Sequence, residues 1–188
     1  LRGCRLGLLF PEIIEMQVRA IAEAASELRR RRIKAVPEIM VPLVGHVEEL
    51  RRSRAIIEST LKEVAKEQGV RLDIKIGTMI EVPRAALTAG QVAQAAEFFS
   101  FGTNDLTQMT YGVSRDDAEG KFLNQYVSAG ILPANPFEHL DPDGVGRLME
   151  MATTEGRAAK PALEVGICGE HGGDAQSIAV CERLGLDY

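Results

Sequence analysis

Three apolar runs in this chain end on residues that could do chemistry. Glu81 follows Ile-Gly-Thr-Met-Ile. Asn104 and Asp105 follow Phe98-Phe-Ser-Phe101 and the pair Gly102-Thr103. Cys168 closes Leu163-Glu-Val-Gly-Ile. Two carboxylates without a cluster of His or Cys suit a hard divalent cation. Mg²⁺ is commonly held by one or two carboxylates, with waters and substrate oxygens completing the octahedron, whereas zinc favours nitrogen and sulfur. Gly102 lets a ligand approach the backbone. Asn104 can donate to a carboxylate or carbonyl oxygen. A thiol beside a carbonyl compound can move a proton to or from the adjacent carbon as a general acid or base. Each residue also has a structural reading. Thr103, Asn104 and Asp105 are good helix caps, Glu81 could cap the helix opened by Pro83, and Cys168 could be an inert core thiol.

What brings the three run ends together is the order of elements. Pro11 opens a helix whose apolar residues, Ile13 to Leu28, recur at helical spacing as far as the Arg29–Arg32 run. That run is read as a solvated helix end, where cations complement the helix dipole. Strands are predicted at 38–44, 72–80, 97–101 and 163–168, and longer helices at about 46–68, 143–158 and 174–184. Residues 3–9 read as a weak strand or loop. Pro42 marks a strand end, and Gly69 stops the second helix. Short helical pieces are expected after Pro83, at 92–96 and at 106–112. The connection 113–142 is long enough to carry small helices of its own or a function. Alternating strands and helices imply a parallel sheet with helical crossovers. In such sheets all C-terminal strand ends share one rim, where ligands bind. Glu81, Asn104, Asp105 and Cys168 are therefore predicted to converge on one cleft. Neither GxGxxG at a strand–helix turn nor GxxxxGK[ST] is present, so no nucleotide-binding signature favours an open doubly wound sheet.

Composition narrows the classes. With 188 residues, 45% of them apolar and 26% charged, the chain has the makings of one globular core, and a single domain over 1–188 is predicted. A net charge of -5 disfavours nucleic acid as a partner. No apolar run reaches the roughly 18 residues of a membrane span. The cysteines Cys4, Cys168 and Cys181 are odd in number and widely spaced, which argues against a disulfide framework or structural zinc. Cys4 and Cys181 read as packing residues. His171 could line the site or sit on a surface loop, and His46 and His139 receive no role. Arg115, in Ser114-Arg-Asp-Asp117, could reach a phosphate over the rim or pair with Asp116 or Asp117; Arg84 could likewise do either.

Three segments carry a resemblance: Gly77-Thr-Met-Ile-Glu81-Val-Pro-Arg-Ala-Ala-Leu87, Phe98-Phe-Ser-Phe-Gly-Thr-Asn-Asp-Leu-Thr-Gln108 and Gly166-Ile-Cys-Gly-Glu-His-Gly-Gly-Asp174. In this order they resemble the C-terminal domain of the pyruvate phosphate dikinases, over essentially the whole chain. The wider family of PEP-utilising enzymes, with phosphoenolpyruvate synthase and Enzyme I of the sugar phosphotransferase system, shares the Gly-Thr-Asn-Asp core. The resemblance implies a (β/α)8 TIM-barrel fold, here a partial barrel lacking its first strands and final segment. It implies that Glu81 and Asp105 hold Mg²⁺, that Glu81, Gly102, Thr103, Asn104, Asp105 and Arg115 line the pyruvate or phosphoenolpyruvate site, and that Cys168 donates a proton to C3 of the enolate. It also implies partners outside the chain: a phosphohistidine domain, an ATP-grasp domain, and upstream barrel strands carrying phosphate-binding arginines. The chain, which begins at Leu1, is accordingly expected to be a piece of a longer cytoplasmic or plastid enzyme. Four or five strands cannot close an eight-stranded barrel. An open edge is expected, covered by a second copy in a homodimer. In isolation the fragment is expected to be inactive in the full reaction, a noncatalytic self-associating module being the alternative.

Overall fold

The computed structural model describes residues 1–188. In chain order the elements are α1 (Cys4–Leu9), α2 (Pro11–Arg30), β1 (Glu38–Val41), α3 (Val47–Gln68), β2 (Lys75–Ile80), α4 (Pro83–Leu87), α5 (Ala89–Ala93), β3 (Phe98–Gly102), α6 (Thr103–Tyr111), α7 (Arg115–Lys121), α8 (Leu123–Ser128), α9 (Val145–Ala159), β4 (Glu164–Cys168), a 3-10 turn (Glu170–Gly173) and α10 (Ala175–Arg183). The four strands form one parallel sheet in the order β1-β2-β3-β4. Every strand thus lies beside the next in sequence, and every connection between them is helical. This is the α/β arrangement expected from the alternation.

Strand side chains alternate between the two faces of the sheet. On one face Ile39, Val41, Ile76, Ile80, Phe99, Phe101 and Val165 are buried in a single core. They pack there with Leu50 and Ile57 of α3, Ala85 and Ala86 of α4, Val92 and Ala93 of α5, and Met149 and Ala152 of α9. The small residues of α4 and α5 let those short helices sit close to the strands. The other face carries Lys75, Gly77 and Met79 of β2, Phe98, Ser100 and Gly102 of β3, and Gly166 and Cys168 of β4. Here Lys75 bonds Glu164 at 2.7 Å, beyond the intervening strand. The Phe98 ring lies so close to Gly77 that a β-carbon there would stand 2.5 Å from it. Tyr188 covers Gly166, and its hydroxyl donates to the Phe99 carbonyl at 3.2 Å. The tail runs beside β4: Asp187 N–H donates to Val165 O at 2.7 Å, and Ile167 N–H to Tyr188 O at 3.0 Å.

Helix ends follow their local chemistry. α2 opens on Pro11. At the head of α3 the His46 ring accepts the Glu48 amide at 3.1 Å, and Glu49 accepts the His46 amide at 2.9 Å, a reciprocal cap. His46, without a role in the sequence reading, is a helix cap. Gly69 ends α3 in the left-handed conformation. Asp141 accepts the amides of Asp143, Gly144 and Val145 at 3.1–3.2 Å and so starts α9. Asp174 caps α10 through the Ser177 amide at 2.8 Å.

Several expectations shift. Residues 3–9 are not strand or loop but the helix α1; Gly3, at φ 58°, turns the chain into it. Gly7, which suggests a loop, fits α1 against α2, where a β-carbon would meet Ile14 at 2.6 Å. β1 stops at Val41, before Pro42, and β2 begins only at Lys75. α6 starts at Thr103 instead of 106, directly at the end of β3. The connection 113–142 does carry two short helices, α7 and α8. Cys4 and Cys181 are buried, in keeping with packing roles.

Candidate active site

The ends of β2, β3 and β4 meet on one rim, on the sheet face opposite the helical core. In the β3–β4 register Gly102 stands opposite Cys168. Ile80 stands opposite Phe101 in the β2–β3 register, which carries Glu81, the next residue, to the level of Gly102. Glu81, Gly102 and Cys168 therefore lie on one line across the sheet. Asp105 follows in the first turn of α6.

Glu81 is buried, 4% exposed. One carboxylate oxygen accepts the Leu43 amide at 2.6 Å. Leu43 adopts φ 59°, a left-handed conformation uncommon for a bulky residue, and so aims its N–H at the carboxylate. Its carbonyl in turn accepts the Cys4 thiol at 3.4 Å. The second Glu81 oxygen faces Gly102, where a β-carbon would lie 2.6 Å away. Burial raises the Glu81 pKa, the Leu43 amide opposes the rise, and the negative charge of neighbouring Asp105 adds to it. A dehydrated carboxylate thus has a like charge for a neighbour, and one of its oxygens sits where only glycine leaves room.

This arrangement has a pH consequence. A carboxylate whose folded-state pKa lies above its unfolded value gives stability that is fully present below the unfolded value, about 4.3, and lost as pH rises through the folded one. Glu81→Gln keeps an acceptor for Leu43 and removes the charge. Melting temperatures from pH 4 to 8 should show the variant gaining on the wild type as pH rises, with the difference vanishing at the acid end.

Asp105 pairs with the Arg2 guanidinium. No side chain caps the N-terminus of α6, so the amides of its first turn offer donors to an anion. Asn104 is exposed, and its amide oxygen accepts from Arg115 at 3.2 Å. Arg115 does not pair with Asp116 or Asp117. It bonds Glu119 at 3.2 Å and Glu170 at 2.7 Å, with Phe137 under its guanidinium at 5.4 Å. Cys168 is half-buried, its thiol 3.5 Å from the Phe101 carbonyl. Arg84 is spent on the Gly45 carbonyl at 2.5 Å, a backbone tie in place of a phosphate or acid partner.

Thr103 and His171 occupy places that their residue types do not announce. Thr103 is completely buried, so its side chain looks inward to the fold. Its hydroxyl lies 2.7 Å from His171 Nδ1, and His171 Nε2 lies 3.0 Å from the Pro136 carbonyl. His171 is itself 2% exposed, no surface-loop residue, and burial lowers its pKa. Arg2 was missed altogether. It reaches Asp105 across 103 positions, and nothing in its local sequence marks it. The Leu43 amide is equally invisible to residue type; only the preceding Pro42 hints at a turn.

Over residues 1–188 the chain matches the family described as PEP-utilising enzyme, PEP-binding domain. It is 58% identical over 187 residues to the chloroplastic pyruvate, phosphate dikinase of Flaveria pringlei, which covers 100% of this chain and 20% of that protein. It is 55% identical over 188 residues to the pyruvate, phosphate dikinase of Clostridium symbiosum, covering 100% of this chain and 21% of the relative. The chain spans about a fifth of the length of the curated relatives it matches. No helix is long and apolar enough to cross a membrane. Matched from end to end and more than half identical to these enzymes, the chain belongs to the PEP-utilising enzymes, within their PEP-binding domain.

Proposed function

We propose that this rim is the pyruvate and phosphoenolpyruvate half-site of a pyruvate phosphate dikinase. The observation that carries the reading is the line Glu81–Gly102–Cys168, with Asp105 beside it. The whole-chain identity to two dikinases favours this branch over a synthase or an Enzyme I relative. The full reaction takes ATP, phosphate and pyruvate to AMP, pyrophosphate and phosphoenolpyruvate. A phosphohistidine domain outside this chain supplies the phosphoryl group.

The donor set fits Mg²⁺. Glu81 and Asp105 present the one or two carboxylates that this ion takes, and their mutual repulsion is what a cation relieves. Glu81 and Asp105 would hold the ion, which would supply Lewis-acid polarisation of the substrate carbonyl. The chain's own groups do the rest. The Asn104 amide nitrogen donates to a substrate oxygen while its carbonyl oxygen stays on Arg115. Uncapped amides at the head of α6 face the substrate's negative charge. Arg115, held by Glu119 and Glu170, stands where an incoming phosphate is neutralised, and Arg2 adds a second cation at Asp105. In the direction of pyruvate, the Cys168 thiol gives its proton to C3 as the enolate oxygen loses its phosphoryl group to the histidine. In the other direction the thiolate takes a C3 proton, and the enolate oxygen attacks phosphorus.

The sheet is part of a (β/α)8 barrel in this reading. Its sequential parallel order and the helical packing on one face support that assignment. The Lys75–Glu164 tie across β3 belongs to the face that a barrel turns inward. A second reading, a self-associating module without catalysis, draws on one feature. The outer edge of β1 borders a groove of about 340 Å³, lined also by Ile14, Val18 and Ile21 of α2.

The test is exchange of pyruvate methyl protons with deuterated solvent, followed by NMR with and without Mg²⁺. Wild type should exchange only with the ion. Asp105→Ala should exchange about a hundredfold more slowly, in the range for loss of electrostatic stabilisation of a developing oxyanion. A folded wild type that leaves the methyl signal intact at saturating Mg²⁺, and sediments as a stable oligomer, would favour the module.

A further inference from the structure

We infer that His171 is a positioning residue for this rim, fixing the first turn of α6 against the turn that follows Cys168. The inference rests on the half-site reading for its consequence in catalysis, while its structural content stands apart. The Pro136 carbonyl can only accept a hydrogen bond, so His171 Nε2 carries the proton and donates across 3.0 Å. In the neutral ring Nδ1 is then an acceptor, and the Thr103 hydroxyl donates to it across 2.7 Å. The ring is 2% exposed and Thr103 fully buried, so water cannot replace either bond.

The connections matter more than the bonds themselves. His171 lies three residues after Cys168, inside the 3-10 turn Glu170–Gly173. Thr103 is the first residue of α6, two before Asp105. Pro136 belongs to the long connection, whose Phe137 lies under the Arg115 guanidinium. One imidazole thus ties together the segments that present Cys168, Asn104–Asp105 and Arg115. No polar atom of the ring is left over for substrate. The role is to hold Thr103, and through it the spacing between Asp105 and the thiol.

Two conservative variants separate the two bonds. An asparagine at 171 places an acceptor near the Nδ1 position and so keeps Thr103. A glutamine reaches the Nε2 position and keeps Pro136. In the Mg²⁺-dependent exchange of pyruvate methyl protons, His171→Gln and Thr103→Val should each lower the maximal rate about 10–100-fold, because small misplacements of reacting groups cost that much. The pyruvate concentration for half-maximal rate should change far less. His171→Asn and Thr103→Ser should stay within about threefold of wild type. In parallel, the backbone amide resonances of Asn104 and Asp105 should move in His171→Gln and Thr103→Val, and return in His171→Asn and Thr103→Ser.

The inference is overturned if His171→Asn and His171→Gln are equally impaired, since the ring would then only fill space. It is also overturned if Thr103→Val, folded, leaves the Asn104 and Asp105 amides where they are in wild type. Wild type without any exchange counts against the half-site reading instead, and the amide shifts still decide the position of α6.

Discussion

Cys168→Ala is expected to slow Mg²⁺-dependent exchange of pyruvate methyl protons by about 10²–10⁴-fold, the usual worth of a positioned general acid or base. Pyruvate binding, measured by broadening or shift of the methyl resonance, should remain close to that of wild type. The reason lies in the register. Cys168 faces Gly102, at the end of a strand whose backbone is fixed by pairing on β3. Its thiol touches the Phe101 carbonyl and is only half-buried. A methyl group in its place fits without displacing a neighbour, so the loss is chemical, not structural. Cys168→Ser is the stricter comparison. It keeps size and a hydrogen-bond donor but replaces the thiol by a far weaker acid, and should also be slow. Equal exchange in wild type and Cys168→Ala would move the proton to another group or to solvent.

Gly102→Ala should damage both the site and the fold. An added β-carbon would stand 2.6 Å from a Glu81 oxygen and 2.6 Å from the Met79 sulfur. The methionine can turn aside. The carboxylate cannot do so freely, because its other oxygen is held by the Leu43 amide at 2.6 Å and the residue is buried. Overpacking of this kind costs about 1–3 kcal/mol, to be read from urea unfolding. The effect on exchange should be at least that of Asp105→Ala, since the methyl pushes directly on the Glu81 carboxylate. Titration with Mg²⁺, followed by the amide resonance of Asp105, separates the two effects. Retained binding at wild-type affinity would mean that the cation does not sit between Glu81 and Asp105.

The meeting of the strand ends on one rim was legible in sequence, because it follows from local runs and topology. Glu81 and Cys168 each close an apolar run, Asp105 lies just past another, and parallel topology alone puts such ends on one rim. The fold brings Glu81 and Cys168 to the level of Gly102. What escaped notice depends on partners far away in the chain. His171 finds Thr103 at a separation of 68 and Pro136 at 35, and no spacing rule relates such residues. Arg115 has tempting acids beside it, yet α7 points its guanidinium at Glu119, one turn on, and at Glu170 on another segment. The helix α1 was obscured by Gly3 and Gly7. Glycine is a poor helix former in isolation, but here one starts the helix and the other makes room for Ile14.

Leu43 gives the rim an unusual substitution profile. It is a buried aliphatic residue held at φ 59°, and Glu81 depends on its amide. Two opposing demands meet at one codon: apolar volume for the core, and a backbone shape that β-branched side chains resist. A saturation library selected for folding should therefore rank residues differently here than at Ile39 and Val41 nearby. At 39 and 41, valine and isoleucine should lead. At 43 they should fall behind methionine, although both are the more hydrophobic.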